Sequence, residues 1–276
     1  MQISHTHILN GQLDHYISPF DRGFTYGDGV FRTLKVVNGM PQHWPQHYQK
    51  LVADCAVIGI VCPSAELLID DLRQLFGPLD TAVAKIIITR GEGERGYKLP
   101  AVTLPTRLVT KSTLPSYRAE FANSGVSLVV CKTRIPPQPV LAGIKHLNRL
   151  ENVMARMEWQ SDAIFDGMLL NHQDEVIECT MSNIFARFQN TLITPDLSQC
   201  GVAGITRQQI MHLAKPLNLI IKTQNISLST LLTADEVMIC NSLYTAFQVT
   251  SISHDDASYR WQPQSLAAEI KKIILS

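Results

Sequence analysis

A lysine stands at position 145 inside the run LAGIKHLNRLENV, directly after a glycine and an isoleucine and ahead of residues spaced for a helix. An ammonium beside apolar segments is costly unless it reaches water, pairs with an anion or is consumed chemically as an imine. Imine formation needs the neutral amine. A free lysine has a pKa of about 10.4, so burial or neighbouring cations must favour deprotonation. Ile144 and Leu147, with His146 and Arg149 nearby, point that way. The local pattern alone also fits a helix-start lysine whose amine snorkels to solvent, and that plain alternative is the commoner one.

Other chemistries lack their residues. His43 and His47 lie four apart in HWPQH like paired metal ligands, but Pro45 interrupts a shared helical face and no HExxH or neighbouring ligand set completes a site. The glycine-rich stretches YGDGVF and RGEGERGY match neither the dinucleotide fingerprint nor the phosphate loop, and no GxSxG provides a serine nucleophile. The 24 Lys and Arg balance the 24 Asp and Glu, which removes any bulk attraction to nucleic acid or an anionic membrane. A small-molecule partner is the expectation. The six cysteines are scattered singly among apolar residues, as in a protein with reduced thiols. No stretch approaches the ~20 apolar residues that span a bilayer, and the first residues lack a signal-peptide pattern, so the expected location is the cytoplasm.

The elements that must position Lys145 can be read from periodicity. GVFRTLKVVNG is β-rich and ends in Asn38-Gly39, a hairpin signal. A helix follows in PQHYQKLVADCAVIGI, with Tyr48, Leu51, Val52 and Cys55 as its apolar stripe. A second helix, capped by Ser64, buries Leu68, Leu72, Leu75 and Phe76. Strands AVAKIIITRG and TRLVTKS flank the loop RGEGERGYKLP. Residues 116–124 read as a linker between an α/β domain at 1–115 and a larger, sheet-rich domain at 125–276. There GVSLVVCKT leads through RIPPQPVLAG to a helix in NRLENVMARMEWQ. Three strands are expected in GMLLNHQDEVIECTMSNIFARFQNTLITP, which suits an antiparallel sheet. A helix in GITRQQIMHLAKPLN and strands in NLIIKTQNIS, EVMICNS and AFQVTSI complete the domain.

Taken together, LAGIKHLNRLENV, DRGFTYGDGVF, RGEGERGY, EVIECTMSNIF, GITR and ADEVMICNS resemble the class-IV group of pyridoxal-phosphate enzymes, in family order and across nearly the whole chain. The group includes branched-chain and D-amino acid aminotransferases and 4-amino-4-deoxychorismate lyase. LAGIKHLNRLE and the RGYK that follows TRGEGE are most similar to the lyase branch, which forms 4-aminobenzoate for folate biosynthesis. The resemblance implies an α/β, two-domain fold of type IV with a pseudo-barrel second domain, pyridoxal 5'-phosphate as cofactor, and a homodimer. The nearer alternative is an aminotransferase; the more remote is a non-catalytic binding protein on the same fold.

The resemblance also implies roles for single residues. Lys145 is the catalytic lysine that holds the cofactor covalently and moves protons. Glu178 pairs with the pyridine nitrogen, where a carboxylate keeps the ring protonated. Ile205 and Thr206 offer a helix start to the phosphate, and Ser242 offers a hydroxyl. Where the family carries an arginine in EHxxRL, this chain reads QHYQKL. Lys50 therefore stands in the phosphate-gripping position with a point charge in place of a planar fork. Arg95 and Tyr97 are the expected substrate contacts, Arg95 for a carboxylate, with Arg32 and Lys98 as weaker options.

Overall fold

In a computed structural model of the chain, residues 6–118 and 120–275 are described. They divide into two compact units. One comprises the described part of Met1–Pro115 together with Ile144–Asn148, and the other Ser116–Gly143 with the described part of Arg149–Ser276.

The first unit runs β1 (Thr6–Leu9), β2 (Gln12–Leu13), α1 (Arg22–Tyr26), β3 (Gly29–Val37), β4 (Met40–Pro41), α2 (Trp44–Val57), α3 (Ala65–Leu75), β5 (Ala82–Thr89) and β6 (Thr106–Ser112). Its sheet has the order β2-β1-β6-β5-β3-β4, and every pair in it is antiparallel. The β3–β4 hairpin turns at Asn38-Gly39, both with positive φ, as the two central positions of a tight hairpin demand. Alternation along β3 sends Val30, Arg32, Leu34 and Val36 to the buried face. There Leu34 and Ile86 join Leu51 of α2 and Leu68 and Leu72 of α3 in one core, each such side chain contributing about 1.5–3 kcal/mol by leaving water. Ser64 caps α3 by accepting the Leu67 N–H. In α2 the expected stripe is rotated. Val52 is exposed, while His47 and Asp54 share the buried face with Leu51 and Cys55 at spacings of four, seven and eight.

The second unit contains α4 (Phe121–Ser124), β7 (Val126–Arg134), α5 (Leu150–Arg156), β8 (Asp166–Leu170), β9 (Val176–Cys179), β10 (Asn183–Phe188), β11 (Thr191–Thr194), α6 (Ile205–Leu213), β12 (Ile220–Thr223), α7 (Leu228–Leu231), β13 (Glu236–Asn241), β14 (Thr245–His254), β15 (Ala257–Arg260) and α8 (Leu266–Leu275). Its nine strands run β12-β11-β10-β13-β14-β7-β8-β9, with β15 on β14. The stretch expected to hold three strands holds four, β8 to β11, because Val176–Cys179 is a strand of its own. The sheet is mixed and not antiparallel: β7 lies parallel to both β8 and β14, and β11 to β12. Both faces are covered. Ile184 and Ala186 of β10 enter one core with Leu128 and Val249, and Phe185 between them enters another with Ile210 of α6 and Ile270 of α8. Among the described residues no helix is long and apolar enough to cross a membrane.

Candidate active site

The candidate residues divide between the two units. In the first unit, Ile144–Asn148 pairs with the start of β3. The Phe31 N–H donates to the Lys145 carbonyl at 2.9 Å, the Leu147 N–H donates to the Gly29 carbonyl at 3.0 Å, and His146 lies opposite Val30. Only glycine suits position 29, where a Cβ would stand 2.5 Å from the Ile88 carbonyl and 2.8 Å from Leu147 Cδ1. The Lys145 side chain rests on Phe31, with Nζ 4.7 Å from the ring centre. Lys85 sets its own Nζ 4.7 Å from the same ring, and burial lowers its pKa below the usual lysine value. Sequence reasoning did not single out Lys85, which occupies an ordinary alternating position in β5.

Asp54 was missed as well. Its carboxylate is wholly buried, and it accepts the Lys145 N–H at 3.2 Å, the Arg32 guanidinium and the Lys50 ammonium. Lys50, the expected phosphate cation, is therefore ion-paired one helical turn along α2. Burial, reinforced by the charge of Arg32, lowers its pKa to about 8. Burial also lowers Arg32, to about 10. Arg32, weighed from sequence as a weaker substrate contact, is thus a buried partner of Asp54.

Arg95 and Tyr97 lie in the loop after β5, and both are exposed. Tyr97 packs against Tyr26 with ring centres 5.5 Å apart. The Gly96 N–H donates to the Tyr26 hydroxyl at 2.8 Å, and Arg22 donates to the Gly96 carbonyl at 3.0 Å. Below the loop, Asp28 receives Arg22 at 2.9 Å and Arg90 at 2.7 Å. Burial works against charge on Asp28, but the two arginines outweigh it and hold its carboxyl below the usual range. This explains the pairing of DRGFTYGDG with ITRGEGERGY. Asp21 adds to it by capping α1 through the Gly23 N–H and accepting the Thr89 hydroxyl.

In the second unit Glu178 lies on β9 with both neighbours buried. Its Oε2 accepts the Val202 N–H at 2.9 Å. Gly201 permits this approach: its φ is +81°, and a Cβ there would come 2.8 Å from Leu197 and 2.9 Å from Ile177. The same loop runs into α6. Asn183, at the start of β10, accepts the Gly204 N–H at 3.1 Å and donates to the Val202 carbonyl at 2.7 Å. Gly204 begins α6 with no side-chain cap, so the helix presents Ile205 and Thr206, both buried, behind an uncapped positive end. Across the sheet Asn183 pairs with Cys240, two residues before Ser242 in the β13–β14 turn. Glu178, Ile205 with Thr206, and Ser242 thus come from three segments, and the Asn183 amide ties β10 to the loop that enters α6.

Two arginines complete this group. Burial pushes the guanidinium of Arg149 and that of Arg207 below their ordinary range, and the negative charge of Glu178 works against both shifts. Arg207 also donates to the Thr194 hydroxyl and the Pro195 carbonyl at 3.0 and 2.9 Å. On the far side of the turn that follows Glu178, Asp166 accepts the Thr180 hydroxyl at 2.6 Å, the Ser182 hydroxyl at 2.5 Å and the Gly167 N–H at 2.8 Å.

The amino-transferase class IV profile matches residues 29–252. The chain is 35% identical to the aminodeoxychorismate lyase of Vibrio harveyi over 245 residues, which cover 89% of this chain and 90% of that one. It is 30% identical to the D-alanine aminotransferase of Bacillus licheniformis, over 84% of this chain and 81% of the other. The solved structure of 4-amino-4-deoxychorismate lyase from Pseudomonas aeruginosa matches it with a TM-score of 0.91 at 35% identity, covering 97% of each chain. The fold expected from the sequence motifs is the fold of that structure.

Proposed function

Because the chain belongs to the amino-transferase class IV family, we propose that it is a pyridoxal-phosphate-dependent lyase that converts 4-amino-4-deoxychorismate to 4-aminobenzoate and pyruvate. The observation that carries this reading is the likeness, at 35% identity and over nearly full length, to lyases in both sequence and structure. The chain's own residues suit the cofactor. α6 offers an uncapped start to a phosphate, and Gly201 leaves room beside Glu178, where a Cβ would lie 3.6 Å from the carboxyl carbon.

When bound, pyridoxal phosphate supplies a carbonyl carbon for the substrate amine and a ring that withdraws electrons from it. In this reading Lys145 would hold the cofactor through Nζ, and its free amine would take the proton from substrate C4. Glu178 would hold a proton on the ring nitrogen. Ile205, Thr206, Ser242 and Lys50 hold the phosphate, and Arg95 and Tyr97 receive the substrate, Arg95 through a carboxylate. Loss of the enolpyruvyl group, with proton delivery to it, leaves an aromatic product, which makes the step strongly downhill. The chain acts as a homodimer. Its scattered free thiols suit the reducing cytoplasm.

The test is pyruvate release from aminodeoxychorismate by the purified protein loaded with pyridoxal phosphate and given no second substrate. Absence of pyruvate overturns the lyase reading. The likeness to a D-alanine aminotransferase favours one alternative, transfer of the amino group to a keto acid, and that reaction appears only when an amino donor and a keto acid are both supplied.

A further inference from the structure

We propose that Asp54 is a positioning residue for Lys145, which it serves by fixing the backbone of the lysine from the buried face of α2. The inference rests on the reading of Lys145 as the reacting lysine. Lys145 has one main-chain donor and one main-chain acceptor. The acceptor is engaged by the Phe31 N–H at 2.9 Å, and the donor is engaged by Oδ2 of Asp54 at 3.2 Å. With both held, and with His146 opposite Val30 and Leu147 bonded to Gly29, the direction of the Lys145 side chain is set by β3 on one side and by α2 on the other.

A buried carboxylate needs a counterion and further donors for its remaining lone pairs, and what distinguishes Asp54 is which donors it takes. Asp54 is completely buried and already has the Arg32 guanidinium as counterion, so pairing with Arg32 satisfies its charge. Yet it also reaches a main-chain N–H 91 positions away and receives Lys50 on its other oxygen. That geometry joins the lysine expected to carry the cofactor carbon to the lysine expected to meet its phosphate. A shift of α2 along its axis would disturb both at once.

The test separates positioning from stability. A single D54A change leaves Arg32 charged and buried without its partner, and the chain is at risk of unfolding. The informative variants are therefore R32M/D54L, which removes the Arg32 pair and every acceptor, and R32M/D54N, which removes the Arg32 and Asp54 charges but keeps an oxygen for the Lys145 N–H; Lys50 loses its carboxylate partner in both, so the two differ only in that acceptor. Hydrogen exchange at the Lys145 amide is read on the cofactor-free protein, alongside the dissociation constant for pyridoxal phosphate. The expected result is about tenfold faster exchange and about tenfold weaker cofactor binding in R32M/D54L, the effect of losing one charge-assisted hydrogen bond. Both should return toward the parent values in R32M/D54N. Parent-like exchange in R32M/D54L overturns the proposal, as does fast exchange in a folded R32M/D54N. If the parent protein takes up no cofactor, the functional reading fails, while the exchange comparison still decides whether Asp54 holds this backbone.

Discussion

The carboxylate of Glu178 and the amide of Val202 are joined by a 2.9 Å hydrogen bond that ties β9 to the loop entering α6. One side chain therefore serves two purposes, a structural acceptor and a buried negative charge, and substitution can separate them. Glu178→Gln keeps an acceptor for Val202 and loses the charge. The expected outcome is a melting temperature close to the parent value with lyase turnover reduced at least about 100-fold. Glu178→Ala also strands the Val202 N–H and should lose a further 1–3 kcal/mol of stability, roughly. Thermal melts and pyruvate assays on the two variants check this directly.

Asp166 is fully buried beneath the turn that separates Glu178 from Asn183 and receives two hydroxyls and an amide. Removing the acceptor leaves two buried donors and one half-buried donor without it. Asp166→Ala should cost about 3 kcal/mol or more in chemical denaturation, whereas Thr180→Val, which removes one donor, should cost about 1 kcal/mol. Equal costs for the two would show that the donors find other partners.

His47 gives the fold an acid-sensitive point. Burial first, and then the charges of Arg32 and His43, lower its pKa from 6.5 to about 3. The unfolded chain binds the proton between those values and the folded chain does not, so stability rises with pH through that window. The contribution is complete above about pH 6.5 and is lost as pH falls toward 3. Urea midpoints measured at pH 7 and pH 5 should differ less in His47→Gln than in the parent; an unchanged difference contradicts the assignment.

Lys50 offers a compact charge where the family resemblance implies a planar fork. Lys50→Met should weaken pyridoxal-phosphate binding by about tenfold, the size of one charge-assisted contact. Lys50→Arg should retain it. Equilibrium dialysis supplies both numbers, and parent-like affinity in Lys50→Met would remove Lys50 from the phosphate site.

Much of the fold was legible because local physics decides it. Ser64 caps α3, and Asn38-Gly39 turns the first hairpin, each through its own backbone chemistry. Strand pairing is not local: β7 lies parallel to two strands far from it in sequence, and no turn residue announces that choice. The terminal helix α8, for which no expectation was formed, gains its stability from Ile210 and Phe185 in the second unit. Within the site, Lys145 drew attention through its apolar setting but took its role from the motif resemblance, and Glu178 stood out only through that resemblance, since either residue alone reads as a solvated charge. Asp54 gave no signal. A lone carboxylate in an amphipathic helix belongs by default to the solvent face, and only the partners supplied by β3 and the Lys145 segment give a reason for its burial.

The central claim is that Lys145 holds the cofactor. Protein incubated with pyridoxal phosphate, reduced with borohydride, digested and mapped by mass spectrometry should carry a single phosphopyridoxyl group on the Lys145 side chain, and Lys145→Ala should carry none. A parent protein that stays unlabelled, or one labelled at a different lysine with Lys145 unmodified, would contradict the account.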